Sequence, residues 1–143
     1  MFKQDVDDRL SSWAKFRHQL EDSPIPYQDV WEFWKSAPFI PFNHKIDPYH
    51  QRSWPSPWEI IVENKYDDFT KALMIGYSLK LTKRFENDKI ELQTLVDRAK
   101  STYYNVICIR EMVINYSDFG PVERIKVPDY FFIENLVELS TTR

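Results

Sequence analysis

The sequence predicts an α+β fold: N-terminal helices and one central buried helix packed on a C-terminal antiparallel sheet of three to five strands. Three observations predict it. Apolar residues recur at helical steps of three and four up to about residue 86, and from about residue 90 the period changes to alternation. Aromatic residues make up 16% of the chain while glycine occurs only twice, so the core is expected to be built from rings. At 143 residues the chain suits a single domain that buries roughly two thirds of its unfolded surface, helical over about 1–86 and sheet over about 90–139.

Phe2, Val6, Leu10, Trp13, Phe16 and Leu20 trace one stripe of an amphipathic helix over about 4–21, which the run Asp22-Ser23-Pro24-Ile25-Pro26 stops. A short second helix over about 29–36 carries Val30, Trp31, Phe33 and Trp34 and ends before Pro38. Residues 38–55 contain four prolines and read as irregular. That length exceeds the ~12–15 residues beyond which a structureless connection is functional or a linker, and its aromatic and aliphatic residues favour an ordered wrap over the core.

Ser56-Pro57-Trp58-Glu59 is a specific helix start. The Ser56 hydroxyl can accept from the Glu59 amide, Glu59 can reach back to the Ser56 amide, and Pro57 fills a position where a missing N–H costs nothing. The capped helix runs to about residue 63. A longer one follows from residue 66 or 67 to 85 with so much apolar surface that it is expected to be the central one; Gly76 in its middle predicts a close approach by another backbone or a ring. Strands are expected around residues 90–94, 104–108, 112–116 and 122–127, with turns near 97–101, 110–111 and 117–121, and a last extended segment over 130–139. The free edge of that segment is a place where a second copy could pair, giving a homo-oligomer.

Composition narrows the function classes. Net charge is −3, with Lys and Arg scattered among Asp and Glu, so no basic stripe supplies the phosphate neutralisation that nucleic-acid binding needs. The one cysteine, Cys108, excludes an internal disulfide and fits a reducing compartment. No run approaches the ~18 apolar residues of a membrane span, so the expectation is a soluble, cytoplasmic protein without a membrane partner.

His44, Asp47 and His50 form an H-x-x-D-x-x-H triplet of residue types that ligate zinc or another divalent metal. In a proline-broken loop they serve equally to hydrogen-bond that loop to the core, and no cofactor is the leading expectation. Asp67 and Asp68 open the long helix, where its dipole favours negative charge. Pairing either with Glu59 or Glu63 as acid and base requires convergence. Trp31, Trp34, Tyr49, Trp54 and Trp58 are candidates for a binding platform, since such rings dominate interface energetics; the competing reading is that most are core.

The order of elements, helices and then an antiparallel sheet, is also that of papain-like and transglutaminase-like folds, in which a buried helix starts at the nucleophilic cysteine and the strands carry histidine. Here the corresponding helix start holds Asp67, the strands hold no histidine, and Cys108 lies among Val106, Ile107 and Ile109 as inert packing. The stretch from Asp47 to Glu59, followed by Glu63-Asn64-Lys65-Tyr66, by Gly76-Tyr77-Ser78-Leu79-Lys80-Leu81-Thr82 and by Val113-Ile114-Asn115-Tyr116, resembles a group of small proteins from marine tailed phages. The resemblance covers roughly residues 27–116. It implies a source, and a host-cell cytoplasmic location, but no mechanism, because no activity is assigned to that group. In it the position of Asp67 resembles one where a cysteine occurs. The expected function is therefore a non-enzymatic interaction or accessory protein with a protein partner. The alternative is a small hydrolase or transferase, metal-dependent through His44, Asp47 and His50 or a degenerate papain-like enzyme.

Overall fold

The computed structural model describes residues 1–140. Four helices, α1 (Val6–Leu20), α2 (Pro26–Lys35), α3 (Pro57–Glu63) and α4 (Asp68–Lys80), precede five strands: β1 (Ile90–Asp97), β2 (Thr102–Ile109), β3 (Met112–Ser117), β4 (Gly120–Glu123) and β5 (Phe132–Glu138). The strands form one antiparallel sheet in the order β4-β3-β2-β1-β5. After β4 the chain crosses the outer sheet face and returns to pair with β1. Its residues Val127 and Phe131 then cover Leu95, Val106, Cys108 and Val113. The inner face, including Ile90, Leu92, Ile107, Ile109 and Ile114, packs on the helices.

The helix ends follow local chemistry. Asp5 caps α1 by accepting from the Asp8 amide at 3.0 Å. The capping box of α3 is complete: the Ser56 hydroxyl accepts from the Glu59 amide at 3.2 Å, and the Glu59 carboxylate accepts from the Ser56 amide at 3.3 Å. At the other end of α3 the buried Arg9 guanidinium donates to the Ile61 and Val62 carbonyls at 3.1 and 2.9 Å, satisfying groups that a helix terminus leaves open.

Three boundaries differ from expectation. Pro26 begins α2 at its first position instead of belonging to a stop signal. The central helix ends at Lys80, not 85, because side chains there replace backbone partners: the Thr82 hydroxyl donates to the Leu79 carbonyl and accepts from the Phe85 amide, and Lys80 Nζ donates to the Glu86 and Asp88 carbonyls. The expected strand over 122–127 is β4 followed by a short 3-10 turn, Arg124–Lys126, which the Val127 amide closes on the Arg124 carbonyl.

Helix α4 is the centre of the core, with Leu73, Met74, Ile75 and Leu79 sealed from solvent. Its Ser78 hydroxyl accepts from two buried indoles, Trp13 Nε1 and Trp34 Nε1, both at 3.0 Å, and donates to the Met74 carbonyl at 2.7 Å. One hydroxyl thus ties α1, α2 and α4 together. Gly76 does mark a close approach, but by aliphatic side chains: a Cβ there would come within 2.8 Å of Ile107 Cδ1 and closer still to Leu139 Cδ1. The 38–55 connection is ordered. The Asn43 amide donates to the Asp67 carboxylate at 3.0 Å, Phe39 bridges to Tyr66, and buried Trp54 sits edge-on to Phe69.

β5 is an edge strand, as the homo-oligomer reading requires. Its free side is blunted: Glu134 is an extra residue in the ladder with β1, Gln51 Nε2 donates to the Glu138 carbonyl at 3.3 Å, and Asn135 Nδ2 donates to the Pro48 carbonyl at 2.9 Å. Bulges, charge and loop cover are devices that discourage edge pairing.

Candidate functional site

The β2–β3 ladder is short. It joins Ile109 to Met112, Cys108 to Val113 and Ile107 to Ile114, and goes no further. The next residue of β3, Asn115, takes φ +76°, the left-handed region that Asn tolerates better than most residues. Between Val113 and Ser117 the register with β4 also breaks. The strand therefore flares from β2, and the gap becomes a cleft of about 570 Å³ between the sheet and the α2–α4 side.

Each wall has its own chemistry. Trp31 and Lys35 come from α2, one helical turn apart, with Lys35 Nζ 5.0 Å from the Trp31 ring centroid. Asp68, Lys71 and Ile75 come from successive turns of α4, and Tyr103 and Tyr104 from the open half of β2. Asn115, Tyr116, Ser117 and Asp118 complete the far side. A polar ladder crosses the gap. Asn105 Nδ2 donates to Asp68 Oδ2 at 3.0 Å and Asn115 Nδ2 to Asp68 Oδ1 at 3.4 Å. Asn115 Nδ2 also donates to the Asn105 carbonyl at 2.8 Å, and the Thr94 hydroxyl to Asn105 Oδ1 at 2.8 Å. This set of bonds holds Asn115 in an uncommon backbone conformation, a kind of strain that clusters at functional sites. The Tyr116 phenol titrates above its ordinary value, chiefly through burial and then through Tyr104, Tyr130 and Asp97, so it stays a neutral donor.

The five predicted rings do not share one surface. Trp34 and Trp54 are buried, 0% and 2% exposed, because Trp34 serves Ser78 and the Trp54 indole donates to the Asp47 carbonyl. Trp58 is exposed but stands edge-on to Trp13 at 6.0 Å, with Arg17 over both rings. Tyr49 lies out beside Glu134 of β5. Trp31 alone of the five lines the cleft.

The triplet in the loop is likewise divided. His50 Nδ1 lies 3.7 Å from Asp47 Oδ2, while His44 stands edge-on to the Phe42 ring. Among the described residues no three His, Cys, Asp or Glu side chains are grouped to hold a metal ion. The carboxylates weighed as acid and base are occupied: Asp67 caps α4 through Thr70 and anchors Asn43, Glu59 belongs to the capping box, and Glu63 pairs with Lys45 at 2.9 Å. Burial pushes the Cys108 thiol up to about 11, which suits packing and not nucleophilic attack.

Lys71, Asn105 and Asn115 carry no signal in the sequence that marks a site. A flare created by one left-handed residue inside an alternating strand is invisible to periodicity. Trp31 among the candidate rings and the Asp67-Asp68 pair at the helix start pointed toward the place. Comparison with protein-family models, with curated proteins and with solved structures finds no match to this chain.

Proposed function

We propose that the chain is a non-catalytic interaction protein, an accessory component of the phage kind its sequence resembles, acting in the host cytoplasm by holding part of a partner protein in the cleft between α2, α4 and the flared strands. The observation that carries this reading is the composition of the cleft walls. Trp31, Tyr103, Tyr104 and Tyr116 offer the tryptophan and tyrosine ring surface that is enriched in protein interfaces, beside amide, hydroxyl and ammonium groups that can select among partners. Asp68 is committed to two asparagine amides, so it is placed to brace the walls.

A comparison of variants tests this. Affinity-tagged wild type, a Trp31→Ala/Tyr103→Ala variant and an Ile125→Ser control, altered at an exposed position outside the cleft, are purified from host cells. A stoichiometric partner retained by wild type and control but lost by the cleft variant is expected. A partner held equally by all three would place the interaction elsewhere, and none held by wild type would count against the reading.

A further inference from the structure

One wall of the cleft is an unfinished piece of sheet. β2 stays paired with β1 down to the Thr102–Asp97 pair, yet its ladder to β3 ends at Ile107. In an antiparallel ladder the backbone groups alternate between the two neighbours, and the two-residue turn Arg110-Glu111 makes Ile109 and Met112 a hydrogen-bonded pair. Ile107, Asn105 and Tyr103 therefore turn their N–H and C=O groups toward β3. At Asn105 the carbonyl is met by the Asn115 side chain. Beside Tyr103, which is 59% exposed, the β3 ladder offers no facing strand.

The charges along this opening are unevenly used. Among the described residues neither Lys35 nor Lys71 has a carboxylate within 4.0 Å. Of the two carboxylates that share the cleft, Asp68 accepts from two amides, and Asp118 lies past the end of β3. The α2–α4 wall thus carries two ammonium groups outside any ion pair, against the single carboxylate of Asp68.

We propose that the open end of β2 is a docking edge for an extended acidic segment of a partner protein, which adds as a strand beside Tyr103, past the Asn115 side chain that closes the edge at Asn105, and sets its carboxylates against Lys35 and Lys71. Successive side chains of a strand point to opposite faces. Alternate residues of the segment then meet the two lysines on the helix side, and those between them meet Tyr104 and Tyr116 on the outer side. Main-chain hydrogen bonds supply affinity in such strand addition, and the side-chain contacts supply selectivity. This inference rests on the reading of the cleft as the partner site.

The probe is an acetylated, amidated octapeptide alternating Glu and Val, titrated into the full chain and followed by the backbone amide signals in two-dimensional NMR. Comparators are the Lys-and-Val octapeptide, glutarate and inorganic phosphate. The expected result is a saturating shift confined to Tyr103, Asn105, Asn115 and their neighbours, absent with the Lys peptide and weakened about tenfold in a Lys35→Ala/Lys71→Ala variant, two rim charges together supplying that much. No shift at Tyr103 and Asn105 up to millimolar peptide overturns the proposal, as does an equal response to the Lys peptide. The same shifts from glutarate or phosphate alone would reduce the edge to an anion site. If the octapeptide fails while the cleft variant still loses its cellular partner, strand addition is wrong and the interaction reading stands; if both fail, the reading of the cleft fails with it.

Discussion

Removing the Ser78 hydroxyl is the sharpest test of how the core is held. Ser78→Ala deletes one oxygen and leaves little void, so the cavity cost is small. It also strands the indole N–H groups of Trp13 and Trp34, both 0% exposed and both now bonded to Ser78 at 3.0 Å. An unsatisfied buried donor costs about 1–3 kcal/mol, so two cost about 2–6, from which the lost bond to the Met74 carbonyl subtracts little because it lies within the helix. A value near 3 kcal/mol is expected. Unfolding entropy near 2.1 cal/mol/K per residue gives about 0.3 kcal/mol/K for a chain of this length, so Tm should fall by about 10 °C in a calorimetric or circular-dichroism melt. A mutant cycle separates this from packing: Trp13→Phe should cost less in the Ser78→Ala background than in wild type, because its donor is already orphaned there. A Tm within about 2 °C of wild type, or strictly additive costs, would refute the shared-hydroxyl account.

Other expectations follow from the same packing. Gly76→Ala gains about 1 kcal/mol of helix propensity but must displace the ends of Leu139 and Ile107, so the net loss should be near 1 kcal/mol, and Gly76→Val should cost about 2 kcal/mol more; denaturant melts check both. The Cys108 thiol should resist a chromogenic disulfide reagent at pH 8 until the chain is unfolded, since its native value lies near 11 against an ordinary 9.0. Because the folded state then holds the proton more tightly, stability should fall as pH rises from about 9 toward 11, less so in Cys108→Ala, which pH-dependent melts can show. With Glu134 bulged and Gln51 and Asn135 tying the adjoining loop to β5, light scattering should find a monomer at high concentration.

The parts of the fold with local causes were legible in the sequence. The Ser56 box depends on neighbours within a few positions, and the apolar run around Gly76 and the aromatic and aliphatic residues of the proline-rich loop announced burial and order, although the contacts that deliver them, Leu139 and Ile107 on Gly76 and Asp67 on Asn43, are distant in sequence. Boundaries set by particular turn or side-chain bonds were not: Thr82 ends α4 through its own hydroxyl, and the chain leaves β4 where the Val127 amide closes a turn on the Arg124 carbonyl. The candidate site was largely hidden for the same reason. Its walls come from α2, α4, β2 and β3, and the positive φ of Asn115 is held by Asp68, 47 positions away in sequence. Trp31 was legible as a ring that could bind, but Trp34 and Trp54 looked equivalent until Ser78 and Asp47 claimed their N–H groups.

That the cleft between the flared strands is where this protein meets its partner can be tested most directly by placing a photoreactive phenylalanine analogue at Tyr103 and, separately, at Ile125, and irradiating host cells that express each form. The cleft reading predicts one covalent adduct at Tyr103, lost when Trp31→Ala is added, and none at Ile125. An adduct at Ile125 with none at Tyr103 would contradict it.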